Sequence, residues 1–128
     1  MEEFLTTYLL ANAPLCGSRI HWMLNPQSVS TFPFANMRVI SSPREYNMLG
    51  PEDYTKSRVQ IDVWADKYST AKAAAREIIT ALSGYKGTVS GVTIQGLFID
   101  GERDLTGEKA GAEAQLFGVS VDVIVNWN

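Results

Sequence analysis

The sequence predicts a single α+β domain over residues 1–128, with an antiparallel or mixed sheet of about five strands and two helices packed on one sheet face. The element order read from it is α-β-β-β-α-β-β. Three observations lead there. Apolar residues recur at helical spacing near the N-terminus and again in the middle of the chain. Arg58 to Ala65 and Gln115 to Trp127 alternate with the period of a strand. Consecutive strands without a helix between them favour antiparallel pairing.

The elements follow in order. Phe4, Leu5, Tyr8 and Leu9 line one stripe of a short helix from Glu2 to about Asn12, closed off by Pro14. Arg19 to Leu24 reads as a strand ending at the Asn25-Pro26 break, and Phe34 to Ser41 (FANMRVIS) as a second with weaker alternation. In the third, Val59, Ile61, Val63 and Ala65 point one way, while Arg58, Gln60, Asp62 and Trp64 point the other. Ser69 is the expected N-cap of TAKAAAREIITAL, whose Ala71, Ala75, Ile78 and Leu82 form a buried stripe. Lys72, Arg76 and Thr80 face water in this reading, and Gly84 stands where a C-cap belongs.

Val92 to Leu105 is apolar on both faces around Leu97-Phe98-Ile99, which predicts a strand interior to the sheet. The last strand, Gln115 to Trp127, turns Phe117, Val119, Val121, Val123, Val125 and Trp127 inward. Its other face carries Gly118, Ser120, Asp122 and Asn126, with Leu116 and Ile124 as apolar exceptions. Two long irregular connections are expected, at 42–55 and 106–114, and loops of that length in a small domain are usually functional or disordered.

Composition narrows the function classes. No apolar run approaches the roughly 18 residues that a membrane-spanning helix needs. The opening MEEFLTTYLL has acids where a signal peptide carries Lys or Arg, so export by that route is not expected. A single cysteine, Cys16, allows no intramolecular disulfide. The net charge is −3, and the 11 basic residues are scattered, which argues against tight nucleic-acid binding.

The stretch IDGERD invites a chemical reading, because Asp100, Glu102 and Asp104 occupy every second position. On a strand, alternation would put all three on one face. A helix-loop-helix calcium site counted from Asp100 needs Gly sixth and Glu twelfth, where this chain has Leu105 and Gly111. Arg103 interrupts the acids, and Gly101 suggests a bulge or turn. The leading reading is a strand leaving the core for a solvated hairpin tip; a small divalent-metal-binding module using the acids at 100–104 is the alternative from a different class. His21 is the sole histidine, so no zinc set of the usual nitrogen and sulfur ligands can be assembled, and a Cys16–His21 pair lacks an orienting third group. The glycines of GTVSGVTIQG precede a strand rather than a helix, and neither a phosphate-binding loop nor a nucleophile elbow is present. No enzyme, catalytic residue, metal or cofactor is therefore predicted. Trp64, on the polar face of its strand, either covers the sheet beneath another element or anchors a subunit contact.

Together, KSRVQIDVWADKYSTAKAAAREIITAL, VTIQGLFIDGERDL and VSVDVIVNW resemble the tail-completion (tail-terminator) family of tailed bacteriophages and prophages. The matching features are Arg58-Val59-Gln60-Ile61-Asp62, Trp64-Ala65, Tyr68 to Ala71, Asp100 to Asp104 and Val121 to Trp127, in that order. The N-terminal helix, the strand near Arg19 to Trp22 and Pro33 before the second strand also fit.

The resemblance implies a structural virion protein, made in the host cytoplasm, whose copies form a ring, most often a hexamer. That ring would cap the head-proximal end of the tail tube and join it to head-completion or neck proteins, with DNA passing through its channel unbound. A head–tail adaptor or stopper ring is the neighbouring alternative, and a generic protein-interaction module a further one. For contacts between subunits or with partners, the expected residues are Trp64, Tyr46, Tyr54, Asp100, Glu102, Arg103, Asp104, Glu108 and Lys109. From Asp100 to Glu113 there are five acids against Arg103 and Lys109, so this arm is expected to meet a neighbour or face the channel.

Overall fold

The computed structural model describes residues 2–12, 20–22, 34–42, 44–47, 50–89, 91–108 and 115–127. Along the chain these give α1 (Glu2–Asn12), β1 (Ile20–Trp22), β2 (Phe34–Ser41), β3 (Arg44–Asn47) and β4 (Gly50–Ala65). Then come α2 (Tyr68–Leu82), β5 (Gly87–Val89), β6 (Val92–Glu108) and β7 (Gln115–Trp127). Among the described residues one seven-stranded sheet runs β1-β2-β4-β7-β6-β5, with β3 paired to β4 off this path. β1 and β2 are parallel and the other pairs antiparallel, so the sheet is mixed, as the α+β reading expects.

The alternating valines build the core. In the central pair, Val59 lies opposite Val123, Ile61 opposite Val121 and Val63 opposite Val119, all with no exposure to solvent. Branched side chains packed across neighbouring strands suit the pleated surface, and each fully buried Val or Ile contributes about 1.5–3 kcal/mol. Onto this face α2 lays Ala71, Ala74, Ala75, Ile78 and Leu82, the alanines letting the helix backbone approach closely. Phe4, Leu5 and Leu9 of α1 complete the same cluster. Tyr8 donates its hydroxyl proton to the Ala81 carbonyl at 2.8 Å and packs against Phe4 and Tyr85, while Trp22 donates from Nε1 to Thr6 Oγ1 at 2.7 Å. These contacts tie α1 to α2 and β1. No helix among the described residues is long and apolar enough to cross a membrane.

Several expectations need correction. The stretch 42–55 is not an irregular loop, because β3 and the first residues of β4 form a hairpin there, with Tyr46 opposite Pro51 and Asn47 opposite Gly50. Gly50 and Pro51 read as breakers, yet β4 does not meet β7 until Thr55, and a proline is tolerated in a ribbon paired on one side only. Likewise β6 continues through Glu108, so 106–108 of the second expected loop are strand, and 109–114 lie outside the described residues. At the start of α2 the N-cap is Lys67, without a side-chain capping bond, and Ser69 falls inside the first turn. Gly84 does end the helix as expected, with φ of +76° in the left-handed region just after Ser83. Lys72 is half-buried rather than fully in water, whereas Arg76 and Thr80 are exposed.

The largest correction concerns β6. Among the described residues it pairs with β5 only at Val92, Thr93 and Ile94, and beyond a hydrogen bond from the Gly84 N–H to the Leu97 carbonyl it has a strand neighbour on one side only. Its apolar run is therefore not interior, and Phe98 is 53% exposed. The ring of Phe98 instead shields Gly96, where an added Cβ would lie 3.0 Å from it.

Candidate assembly interface

Three acids at alternate positions would share a face on a regular strand. Here β6 carries one extra residue between Ile99, opposite Val123, and Gly101, opposite Asp122. That β-bulge, whose presence Gly101 signalled, absorbs Asp100 and resets the alternation. Glu102 and Asp104 then lie opposite Val121 and Val119, on the helix-bearing face, while Arg103 lies opposite Ser120 on the other. Asp100 reaches Arg58 at 2.5 Å, and Arg103 pairs with Asp122 at 3.0 Å. The expected single face of three carboxylates is thus divided between two faces. No group of three His, Cys, Asp or Glu side chains converges among the described residues.

On the helix side, Glu102 and Asp104 meet Lys72 at 3.4 and 3.2 Å, and the Tyr68 hydroxyl donates to Asp104 at 3.0 Å. The first turn of α2 has no acid of its own, so β6 supplies negative charge at the end of the helix where the peptide dipoles favour it. The hydrogen bonds from Tyr68 and Lys72 hold the Asp104 carboxyl below the usual carboxylate range. Its hydrogen bond to Asp104 raises the Lys72 ammonium above its ordinary value; partial burial opposes this and the charge of Glu102 adds to it. Through these contacts Lys72 and Tyr68 tie the first turns of α2 to β6.

The face opposite the helices is polar and largely self-satisfied. Gln60 donates to Asp62 at 2.9 Å, and Arg38 stands 3.9 Å from the same carboxylate. Gln60, Asp62 and Ser120 are buried within this layer. At its end Trp64 is only 9% exposed, packed on Phe34 and Leu105. Its indole lies on Gly118, where an added Cβ would come within 2.9 Å of Cε3. Among the described residues the indole Nε1 is buried without a hydrogen-bond partner. Of the two readings for Trp64, covering the sheet describes its place within one chain.

The remaining expected residues scatter. Tyr46 sits on β3 and Tyr54 on β4, both in the hairpin, and their side chains lie outside the described residues. Glu108 ends β6 opposite Gln115, while Lys109 and Cys16 lie outside the described residues. What the sequence reading missed is the pair of sheet edges left open among the described residues and the apolar side chains on them: Phe98 on β6, and Val39 and Ile40 on β2, which are 38% and 47% exposed. A signal was available. Gly96 and Gly101 flank Phe98, and two glycines so close in one strand mark bulges rather than a packed interior.

A family model described as "Tail completion protein gp17" matches residues 5–125. Among solved structures, a chain from "Virion of native gene transfer agent (GTA) particle" superposes with a TM-score of 0.65 at 20% identity, covering 95% of this chain and 91% of that one. No curated protein matches.

Proposed function

The chain belongs to the tail completion protein family, structural proteins of the phage virion, and from that premise we propose that it is a tail terminator. In this reading identical copies form a ring, a hexamer in the simplest case, that caps the head-proximal end of the tail tube. The ring then presents a surface to the head-completion or neck proteins. The family match across almost the whole chain carries the reading. Two features of the molecule support it. The acids that most suggested chemistry are each engaged by a cation or hydroxyl of the same chain, which favours a non-enzymatic role. A net charge of −3 with scattered bases suits a channel through which DNA passes without the counterion-release attraction that would hold it.

The test is a phage lacking this protein. Headless tails of abnormal length, or finished tails that fail to join heads, are expected in electron micrographs. Normal tails joined normally would remove the reading. Labelled particles separate a terminator, at the tube end, from an adaptor or stopper ring bound to the head.

A further inference from the structure

We propose that copies of this chain join head to tail through two unlike sheet edges: the open side of β6 from Phe98 to Glu108, and the β1–β2 edge of the next copy. The proposal rests on the ring reading above and specifies its contact surface. On the β6 side, β5 covers Val92 to Ile94 and the Gly84 N–H donates to the Leu97 carbonyl at 2.9 Å, which leaves the backbone donors and acceptors from Phe98 onward without a strand partner on that side among the described residues. On the far side, β1 covers Ala35 to Met37 of β2, leaving Arg38 to Ser41 without an outer strand partner among the described residues. Open edges of this kind recruit strands from other chains.

Direction and charge select the partner. β2 is antiparallel to β4, β4 to β7, and β7 to β6, so β2 runs opposite to β6, and β1 runs with β2. A second copy placed beside the first in the same orientation therefore brings its β1–β2 edge to β6 in the antiparallel sense, the slightly more stable pairing. The β6 segment carries Asp100, Glu102, Asp104 and Glu108 against one Arg103, whereas Arg38 is the sole Lys or Arg on β1 and β2, which carry no acid. Pairing β6 with a second β6 about a two-fold axis would set acids against acids, which is unfavourable in directly opposed strands. The head-to-tail contact avoids this. It is also the kind of contact that generates rings when the rotation per copy closes.

The exposed apolar side chains lie where this contact needs them. Ser41 is opposite Arg58, Arg58 opposite Ile124, and Ile124 opposite Phe98, so one cross-strand row runs from one open edge to the other. Phe98 stands at one end of the row, 53% exposed, and Ile40 beside its other end, 47% exposed. In a single chain they are separated by three strand spacings, roughly 14 Å, but a neighbour brings unlike ends together.

The experiment places Ile40→Cys and Phe98→Cys in one chain in which Cys16→Ser removes the native thiol, then treats assembled tails with a short bismaleimide. Each single-cysteine variant can link like to like and stops at a dimer. The double variant is expected to give a ladder of multimers on denaturing gels, rising to the full ring. Rings visible in the microscope with no ladder would overturn the edge assignment and leave the ring reading standing. Cross-links from the thiol introduced by Phe98→Cys to a tail-tube protein, instead of to a second copy, would also overturn it, giving the β6 edge to the tube. Absence of both rings and ladder would overturn the two together.

Discussion

The indole of Trp64 lies directly on Gly118, the residue opposite it on β7, so closely that any side chain at position 118 would meet the ring at 2.9 Å. Glycine is required at this place by the neighbour rather than by the backbone. Gly118→Ala is expected to push the indole off its seat against Phe34 and Leu105 and to cost about 1–3 kcal/mol, as overpacking a fitted site does. Chemical denaturation measures the loss, and near-ultraviolet circular dichroism reports the displaced ring. An unchanged spectrum and midpoint would mean that the layer has slack.

Ile61 and Phe98 make a paired test of core against edge. Ile61 is fully buried between the sheet and the helices, so Ile61→Ala should cost about 2–5 kcal/mol. Phe98→Ala removes a side chain that is 53% exposed, and should shift the stability of the separated chain by no more than about 0.5 kcal/mol. Its effect is expected in ring formation, read by sedimentation or by electron microscopy of tails. A Phe98→Ala chain that unfolds as readily as Ile61→Ala would place Phe98 in the core after all.

The pH dependence of the α2 tie has a definite sign. Hydrogen bonds from Tyr68 and Lys72 depress the folded-state pKa of Asp104. Its contribution to stability is therefore complete above the ordinary carboxylate value of about 4, and is lost as pH falls through the lower folded value. The gap in thermal midpoint between the native chain and Asp104→Asn should be constant from neutral pH down to about 5, then close below about 4. A gap that persisted unchanged at pH 2–3 would show that Asp104 acts through something other than its charge.

Reversing the acids should now give two separable outcomes. Glu102→Lys with Asp104→Lys sets three cations together at the N-terminal end of α2, so a lowered thermal midpoint is expected with the fold intact. Asp100→Lys sets its charge against Arg58 on the opposite face and leaves the helix alone. Both should weaken ring assembly if the β6 edge is the contact. Rings forming at native concentration with all three reversed would reduce the acids to solvated surface.

Much of the fold was legible because burial imposes a rhythm on the residues. Val59 to Ala65 and Val119 to Trp127 alternate, Ala71 to Leu82 repeats at helical spacing, and the structure seats these stripes on one another. The hairpin at 44–55 was not legible, since Gly50 and Pro51 break the local pattern and only pairing with a partner strand makes it regular. Nor was the place of β6 in the sheet. An apolar run such as Leu97-Phe98-Ile99 looks the same in an interior strand and in an edge strand with one exposed aromatic.

By itself the sequence determined the class of domain, its two helices, the inward-facing residues of the central strands and the family to which it belongs, because each follows from local periodicity or ordered motifs. Only the tertiary structure decided what the acids of IDGERD do. One extra residue at Asp100 sends it to Arg58 and sends Glu102 and Asp104 to Lys72, on opposite faces of the sheet. The reason is physical: a strand's side-chain direction depends on its register against a partner, and register is a relation between distant segments that neither one specifies alone.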